Sequence, residues 1–570
     1  MKTNLQIARL GTLGALMSIA LSACALPMPP PMVKAPVAPA EVPAAAKPVP
    51  AVPLYKNLGA HSRKISANSP QTQQYFDQGL ILIYAFNHDE AIKMFKEAIR
   101  LDPACAMCYW GIAYALGPNI NAYMADAAVP EAFAAVHKAH ELASNASPVE
   151  RDLIAALTQR YGSEPVKDRA ALDKAYADAM RGVAKQYPDD ADANTLFAES
   201  LMDLMPWNFW TKDGKPTDYT EEILSTLEGV MKRTPDHPGA NHYYIHATEA
   251  SFNPERAIPS ADRLQTLVPD AGHLVHMPAH VYWRVGRYHD AADINKHAIH
   301  VDEGESFKPD QRGNNWYSVG YYPHNIHFLH AATSMEGRSA DALAAARKLV
   351  ADIPHSVYEE SPFMQDLATM PLLTLVRFGK WVDILKEAQP PADLPYVVGI
   401  WHYAQGMALL RTGKLDDADK TLAKVKELAQ NKDLQALGLS TFATAGQLLS
   451  IAGNILEGEL AGASGNTQHQ IEHLEIAAHL QDELPYIEPP SWHTPVRHML
   501  GAALLEANRA ADAEAVYRVD LRQYPQNGWS LFGLAQSLKA QGKDKEAADA
   551  QKQFEVAWQY ADVTLSRSRF

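Results

Sequence analysis

The feature that most constrains this chain is a recurring spacing of small, aromatic and proline residues. In the segment YFDQGLILIYAFNHDEAIKMFKEAIRLDP the spacing is set by Gly79, Ala91, Phe95, Ala98 and Pro103. It recurs near the end of the chain at Gly501, Ala513, Tyr517 and Pro525, and again at Gly542, Ala547 and Phe554. Alanine, leucine, glutamate and lysine recur with helical spacing from residue 70 onward. Such a period predicts stacked helix pairs, each of which buries its apolar face against its neighbours.

This spacing resembles that of tetratricopeptide repeat proteins. In that family the small residues let two antiparallel helices touch, and the proline ends the second helix. Weaker copies lie around Gly406 and Gly413, Ala257 and Leu264, Gly286 and Ala291, Gly337 and Ala342, and Gly379. The resemblance covers most of residues 70–561 and implies an all-α fold, a right-handed α-solenoid of tetratricopeptide-type helix pairs.

Further segments resemble a family of bacterial exported tetratricopeptide lipoproteins that has no assigned activity. These segments include CYWGIAYALGPNIN, MDLMPWNFW, HPGANHYYIHATEAS, HMPAHVYWRVGRYHDA and YYPHNIHFLHAATSMEGRS. The resemblance implies architecture and export. It implies no mechanism, so the function has to be inferred from the residues themselves.

The first 23 residues have the pattern of a secretory signal, with Lys2 and Arg9 ahead of an apolar run. The signal ends in LSAC, which resembles a bacterial lipobox and predicts lipidation of Cys24. Residues 24–60 then form a tether rich in proline and alanine, which is expected to be extended. We therefore expect a lipid anchor on the periplasmic face of the outer membrane. The alternative is an ordinary cleaved signal.

We expect the rest of the chain to divide at changes in the repeat pattern. The segments are N-terminal repeats at 70–124, a divergent helical region at 125–235, histidine-rich repeats at 236–356 and C-terminal repeats at 357–561. The formal net charge is −15. Because nucleic-acid binding relies on neutralising phosphates, this charge argues against a nucleic-acid partner. An envelope protein or peptide remains a candidate partner.

Cys105 and Cys108 form a C-x-x-C pair in the sequence DPACAMCYWG. In an oxidising compartment this spacing favours a local disulfide at a helix start. Covalent haem attachment is excluded because Tyr109 follows where a histidine would be required. A thiol redox motif and a Cu(I) site that includes Met107 are the remaining alternatives.

Histidines are concentrated in one part of the chain, since 12 of the 23 lie between residues 237 and 330. They follow the repeat: His242 and His276 are 34 positions apart, as are His246 and His280. A step of 51, which includes a 17-residue insertion at 306–322, relates His273 to His324 and His276 to His327. Spacings of three, four and seven residues place side chains on one face of a helix.

The apolar residues beside these histidines would pack against neighbouring helices. We therefore expect the histidine face to be exposed and to line the concave groove of the solenoid. Pro278 lies inside the second of these helices and could shift His273 and His276 out of line with His280.

Neutral imidazole is a ligand for Cu, Zn and Fe, so histidines converging from adjacent helices predict a transition-metal site. We expect one ion to be shared by His242, His246, His276 and His280, with Glu249 or His327 completing the shell. Glu249 is also a candidate catalytic base. Additional groove residues are His273, His324, His330 and Arg284.

Such a metal would serve catalysis or metal capture, and its affinity should fall as the pH drops through about 6. The absence of an H-E-x-x-H signature argues against a metalloprotease. The alternative function is a scaffold for proteins or peptides, in which the histidines only give the groove polarity.

Overall fold

The computed structural model describes residues 52–304, 315–351, 353, 355–439 and 443–570. The described residues form helices without a strand, and only three isolated bridges occur among them. The predicted all-α solenoid of tetratricopeptide-type helix pairs is confirmed. The predicted signal and lipidated Cys24 lie outside the described residues, as does the tether up to residue 51. Within the described part, no helix has the length and apolar character needed to cross a membrane.

The first half of the solenoid runs from α1 to α13. Its helices are α1 Pro70–Tyr84, α2 His88–Leu101, α3 Ala106–Ala115, α4 Val129–Leu142, α5 Pro148–Leu157, α6 Ala170–Gln186, α7 Ala191–Met202, α8 Thr220–Arg233, α9 Pro238–Glu249, α10 Ile258–Leu267, α11 Gly272–His276, α12 Pro278–Arg284 and α13 Tyr288–Asp302.

A π-helical turn at Tyr317–Tyr321 leads into the second half. Its helices are α14 Tyr322–Met335, α15 Ser339–Ala351, α16 His355–Glu360, α17 Pro362–Arg377, α18 Trp381–Ile384, α19 Pro395–Arg411, α20 Leu415–Ala429, α21 Lys432–Ala436, α22 Ala445–Ala463, α23 Thr467–Glu483, α24 Val496–Glu506, α25 Ala510–Gln523, α26 Gly528–Ala540 and α27 Asp544–Ala557.

The small residues of the repeat allow aromatic side chains to lie between helices. A Cβ atom at Gly79 of α1 would lie 2.6 Å from the ring of Phe95, and a Cβ at Gly111 of α3 would approach the same ring equally closely. Phe95 is fully buried. Tyr517 occupies the same position between Gly501 and Gly533 near the other end. This packing explains the periodic spacing in the sequence.

The turns inside the helix pairs share one backbone conformation. In eight of these turns the first helix is followed by a capping residue, one residue with positive φ and the N-cap residue of the second helix. Positive φ is costly for residues with a Cβ and favours glycine or asparagine. The position is occupied by asparagine at Asn508 and by glycine at Gly286, Gly337, Gly379, Gly413, Gly465 and Gly542. In the turn between α1 and α2 it is occupied by Phe86, with a φ of 53°.

The C-terminal repeats return to the histidine-rich repeats, and residues 52–570 form one compact unit. Nε1 of Trp529 donates a hydrogen bond to the carbonyl of Ser334 at 3.1 Å. The Asp562 carboxylate accepts hydrogen bonds from the backbone N–H groups of Ser339 and Ala340 at 2.7 and 2.8 Å. These contacts join segments more than 190 residues apart. As a result, the C-terminal repeats are held against the histidine-rich repeats.

Candidate metal centre

Three histidines converge in a first group, which we call triad 1. His242 and His246 lie one turn apart on α9, and His273 comes from α11. One ring nitrogen from each lies within 4.8 Å of the others. All three side chains are buried, with at most 2% of each residue exposed. Adjacent repeats thus bring three imidazoles together in the protein interior.

Hydrogen bonds fix how two histidines of triad 1 face the centre. Nδ1 of His242 is 2.6 Å from the carbonyl oxygen of Tyr84, which can only accept. Nδ1 of His246 is 2.8 Å from a carboxylate oxygen of Glu249. The proton therefore sits on Nδ1 in both rings, and each Nε2 presents a lone pair. Neither of these two buried Nε2 atoms has a hydrogen-bond partner, and both ring nitrogens of His273 also lack one.

A second group, triad 2, consists of His276 of α11, His280 of α12 and His324 of α14. Nε2 of His280 lies 2.9 Å from Nε2 of His276 and 3.4 Å from Nε2 of His324. The helix break at Pro278 does not separate His276 from His280. Like triad 1, triad 2 takes its third histidine from the next helix pair.

The partners behind triad 2 also determine its protonation. Asn295 donates its amide N–H to the carbonyl of Ala291 at 2.7 Å, so its Oδ1 accepts from Nδ1 of His276 at 2.7 Å. Nδ1 of His280 donates to Glu249 at 2.5 Å. The Nε2 atoms of His276 and His280 would then be two lone pairs only 2.9 Å apart. Such a contact is repulsive unless a cation, either a proton or a metal ion, lies between them.

Glu249 connects the two triads. One of its oxygens accepts from His246 of triad 1 and the other from His280 of triad 2. Burial would raise the pKa of Glu249, but His280 and His246 outweigh burial and hold this pKa well below its usual range. Each oxygen of the Glu249 carboxylate contacts an Nδ1 atom, on the side of the ring away from the converging Nε2 atoms. This is the arrangement by which carboxylates orient metal-binding histidines.

Charge distinguishes the triads. Burial lowers the pKa of every histidine of triad 1 and of His276 and His324 in triad 2. Burial also opposes protonation of His280, but the carboxylates of Glu249 and Glu488 raise its pKa to about 9. Burial in turn raises the pKa of Glu488 to about 7. Around neutral pH, triad 1 is therefore uncharged, and triad 2 carries one positive charge on His280.

The expectation that these histidines are exposed in an open groove is wrong. Side chains from other segments of the chain pack against these histidines and bury them. The Phe86 ring centroid is 4.6 Å from that of His242, Trp207 lies 5.3 Å from His246, and Tyr321 lies 4.5 Å from His273. Glu488 reaches within 3.4 Å of His280 from the segment between α23 and α24. Packing between segments far apart in sequence buries the face, and helical periodicity does not report such packing.

The predicted ligands of a single metal ion do not form one group in the structure but belong to two separate groups. His242 and His246 belong to triad 1, and His276 and His280 belong to triad 2. Helix α11 supplies one histidine to each, His273 to triad 1 and His276 to triad 2. His324 takes the place predicted for His327. His327 lies on another side of α14, with its ring 6.0 Å from that of His330. Nε2 of His330 in turn contacts Thr374 of α17 at 2.7 Å.

Other predicted residues have different surroundings. Arg284 lies beside triad 2, where its guanidinium is 5.2 Å from the ring centre of Tyr486 and 4.0 Å from Glu488. It contacts none of the converging nitrogens. Cys105 and Cys108 are joined by a disulfide at the start of α3, as the favoured alternative predicted.

Sequence reasoning missed the residues that support the triads. Asn295, Glu488 and the Tyr84 carbonyl give no local signal, because they come from elements that meet only in the fold. Phe86, in contrast, does give a local signal in the sequence. Its ring lies within about 6 Å of all three rings of triad 1, and it occupies the turn position that the other repeats give to glycine or asparagine.

A further histidine cluster joins His61, His237 and Asp192. The Asp192 carboxylate accepts hydrogen bonds from His61 at 2.9 Å, from His237 at 3.2 Å and from the hydroxyl of Tyr84 at 2.6 Å. Nδ1 of His237 accepts the N–H of Ala240 at the start of α9. Because these partners satisfy one another, this cluster is a structural network.

Comparison with known proteins identifies the repeat. Residues 74–105 match the family described as Tetratricopeptide repeat. No curated protein matches the chain in sequence. Solved structures with similar chains include a human IFIT1 dimer with m7Gppp-AAAA, at 13% identity and a TM-score of 0.31, covering 86% of this chain and 91% of that chain. Another is Naa15/Naa10 bound to HypK-THB, at 14% identity and a TM-score of 0.22, covering 86% and 71%. The chain therefore contains a tetratricopeptide repeat at residues 74–105, and the succession of helix pairs continues through the rest of the part that the structure describes.

Proposed function

We propose that this protein binds transition-metal ions, Zn, Cu or Fe, at the two histidine triads. One observation carries the proposal. In triad 1 the Nε2 atoms of His242 and His246 are buried without a hydrogen-bond partner, while their Nδ1 atoms donate to Tyr84 and Glu249. A buried polar atom without a partner is costly, and a metal ion would satisfy all of the converging nitrogens together.

Triad 2 supports a second ion at the same time. Nε2 of His280 lies 2.9 Å from Nε2 of His276 and 3.4 Å from Nε2 of His324. Ligands bound at about 2 Å around one tetrahedral ion have nitrogen separations of this order. An ion placed between His276 and His280 would replace the proton that otherwise holds them together.

Three histidines leave a fourth coordination position, which is the feature of metal sites that react with a ligand or substrate. For catalysis, however, the sequence offered Glu249 as the base. Both oxygens of Glu249 are engaged by ring nitrogens, so we assign it the role of orienting the histidines. The geometry therefore supports binding and retention of metal, with no residue assigned to a chemical step.

The alternative is a peptide scaffold whose histidines line the groove. A peptide could contact these imidazoles only if they were accessible, and His242, His246, His276 and His280 are each at most 2% exposed. Their burial therefore argues against a peptide-gripping role for them.

We also propose that the protein is anchored in the cell envelope through a lipid on Cys24. The LSAC sequence supports this, and so does the Cys105–Cys108 disulfide, because disulfides persist in oxidising compartments. The Cys24→Ala variant should leave the membrane fraction and enter the soluble periplasmic fraction. If a processed variant still sediments with membranes, the lipid anchor is contradicted.

Titration of metal-free protein with Zn(II) and Cu(II) against a competing chelator tests the metal sites. His246→Gln should weaken binding at triad 1, and His280→Gln should weaken binding at triad 2, each by about ten- to a hundredfold or more. His289→Gln is the matched control, because His289 is half-buried and pairs with Glu336 at 3.0 Å, away from both triads. Equal losses in all three variants, or none, would contradict the proposal.

A further inference from the structure

A second kind of site lies among the C-terminal repeats. A cavity of about 40 Å³ is bounded by α17, α19, α24 and α26 and by the end of the chain. Its walls are largely aromatic and include Trp381, Tyr403, Trp492, Trp529 and Phe570. None of these residues belongs to the histidine triads. The cavity also contains polar groups that have no partner in the protein.

Arg377 is the central group of this cavity. It is 5% exposed, and its guanidinium lies 4.5 Å from the ring centre of Trp529. Its hydrogen bonds go to the carbonyl of Ser334 at 3.3 Å and to the sulfur of Met335 at 3.4 Å. Among the described residues, no carboxylate oxygen lies within 4.0 Å of it. Arginine stays charged in proteins, and a buried charge is normally paired.

The other cationic group of the cavity is fully paired. Arg569 binds the carboxylates of Glu459 and Glu506. Arg377, in contrast, has no carboxylate of the described residues in direct contact, and the nearest acidic influence on it is the longer-range charge of Asp520. Burial lowers the pKa of Arg377 to about 9, which keeps the guanidinium charged at neutral pH.

Two further residues of the cavity wall each carry an unsatisfied polar atom. The indole Nε1 of Trp492 has no acceptor, although this residue is only 3% exposed. Nδ1 of His498, which is 2% exposed, also has no partner, while its Nε2 donates to Asp520 at 3.0 Å. Arg377 and Trp492 thus offer donors to a ligand with acceptor oxygens.

We propose that this cavity binds a small planar oxyanion of the carboxylate or bicarbonate type. Guanidinium matches the planar pair of oxygens in such an ion, and the indole N–H of Trp492 can donate to one of them. The size agrees as well. A single water needs about 10–15 Å³ on this measure, so 40 Å³ accommodates about four heavy atoms. Formate, acetate and bicarbonate are of this size, and tetrahedral sulfate is larger.

Saturation-transfer NMR on the full-length protein tests the proposal, with acetate and formate as probes and bicarbonate and sulfate as competitors at constant ionic strength. Acetate and formate should bind, and bicarbonate should displace them while sulfate should not. The Arg377→Gln variant should bind acetate about ten- to a hundredfold more weakly, the range expected for a lost charge-assisted hydrogen bond. Arg411→Gln is the matched control, because Arg411 already pairs with Glu459 and lies 5.9 Å from the ring centre of Trp381.

Trp492→Phe provides a second test that keeps the aromatic wall. Loss of the indole N–H should weaken acetate binding about three- to tenfold, and this result is decisive if Arg377→Gln fails to fold. The proposal is overturned if acetate does not bind the wild-type protein or if sulfate competes as well as bicarbonate. It is also overturned if a folded Arg377→Gln, or Trp492→Phe, binds acetate with wild-type affinity.

Discussion

Oε2 of Glu249 accepts a hydrogen bond from Nδ1 of His280 at 2.5 Å, across the boundary between two adjacent repeats. The other oxygen of Glu249 accepts from His246, so a single carboxylate orients one histidine in each triad. This sharing ties the two candidate sites to each other and makes Glu249 the residue through which both can be disturbed together.

Glu249→Gln should weaken metal binding at both triads by about ten- to a hundredfold, as expected for loss of a carboxylate behind a ligating histidine. The amide oxygen can accept from only one side, and the NH2 group cannot accept the Nδ1 proton of the other histidine. Chelator competition with Zn(II) measures the effect. The control is Glu255→Gln, an exposed residue in the turn before α10. If Glu249→Gln and Glu255→Gln bind Zn(II) equally well, the orienting role is wrong.

Proton release should distinguish the two triads. The histidines of triad 1 have lowered pKa values and are already neutral at pH 7, so metal binding there should release almost no proton. His280 in triad 2 has a pKa of about 9 and must lose its proton before it can ligate. Apparent affinity at triad 2 should therefore rise about tenfold per pH unit from 6.5 to 8.5, while triad 1 stays nearly constant.

Calorimetric titrations in buffers of different ionisation enthalpy count these protons. We expect about one proton for the ion at triad 2 and about none for the ion at triad 1. This differs from the expectation drawn from the sequence, in which affinity falls through about pH 6, because burial and Glu249 move the pKa values apart. Equal proton release at both sites would contradict the assignment of charge.

Metal-free protein should lose stability as the pH falls below about 6.5. His242, His273, His276 and His324 have folded-state pKa values well below the unfolded value. The unfolded chain therefore binds more protons in this range, and each group costs about 1.4 kcal/mol per pH unit. His280 has a raised pKa, so its stabilising contribution is fully present below about pH 6.5 and adds no pH dependence there. Glu488, whose pKa is raised to about 7, contributes in the opposite direction, but it is outnumbered.

Thermal unfolding from pH 7.5 to 5.5, with chelator and with bound Zn(II), measures this dependence. The melting temperature should drop steeply in chelator and much less with Zn(II), because bound metal excludes protons from the same nitrogens. A melting temperature that does not change with pH in chelator would show that these histidines are not held neutral by burial.

Phe86→Gly should destabilise the fold although it removes an unfavourable backbone conformation. The positive φ at Phe86 costs about 1–3 kcal/mol. The buried ring contributes more, since removing a buried phenylalanine costs about 3–5 kcal/mol. We expect a net loss of about 2 kcal/mol in denaturant unfolding, within a range of about 0–4 kcal/mol, together with weaker Zn(II) binding at triad 1.

Asn508→Gly is the matched control for this turn, because Asn508 has a φ of 60° and lies far along the chain from both triads. It should change stability by less than about 1 kcal/mol. If Phe86→Gly is as stable as the wild type and binds Zn(II) normally, the ring does not position triad 1.

Much of the fold could be predicted from the sequence because repeat contacts are local. Gly79 and Phe95 lie within one helix pair, and their spacing reports directly on the packing between the two helices. The histidine period likewise predicted that His242, His246, His276 and His280 would lie on neighbouring helices. These statements require only the helical period and a constant step between repeats.

The division into two triads could not be predicted in this way. His273 and His276 both lie on α11, yet the first joins triad 1 and the second joins triad 2, and the helical spacing does not distinguish these two partners. The burial of triad 2 depends in part on the contact of Glu488 with His280, and contacts such as Trp529 with Ser334 hold the C-terminal repeats against the histidine-rich repeats. Those contacts connect segments about 200 residues apart, and they leave no periodic trace in the sequence.

The most direct measurement is the metal content of untagged full-length protein, purified without chelator and analysed by elemental mass spectrometry. The account predicts close to two transition-metal ions per chain. The double variant His242→Gln/His246→Gln should lose the ion of triad 1, and His276→Gln/His280→Gln should lose that of triad 2, while His289→Gln retains both. A folded wild-type protein that carries no transition metal, and takes up none when Zn(II), Cu(II) or Fe(II) is supplied, would contradict the central claim.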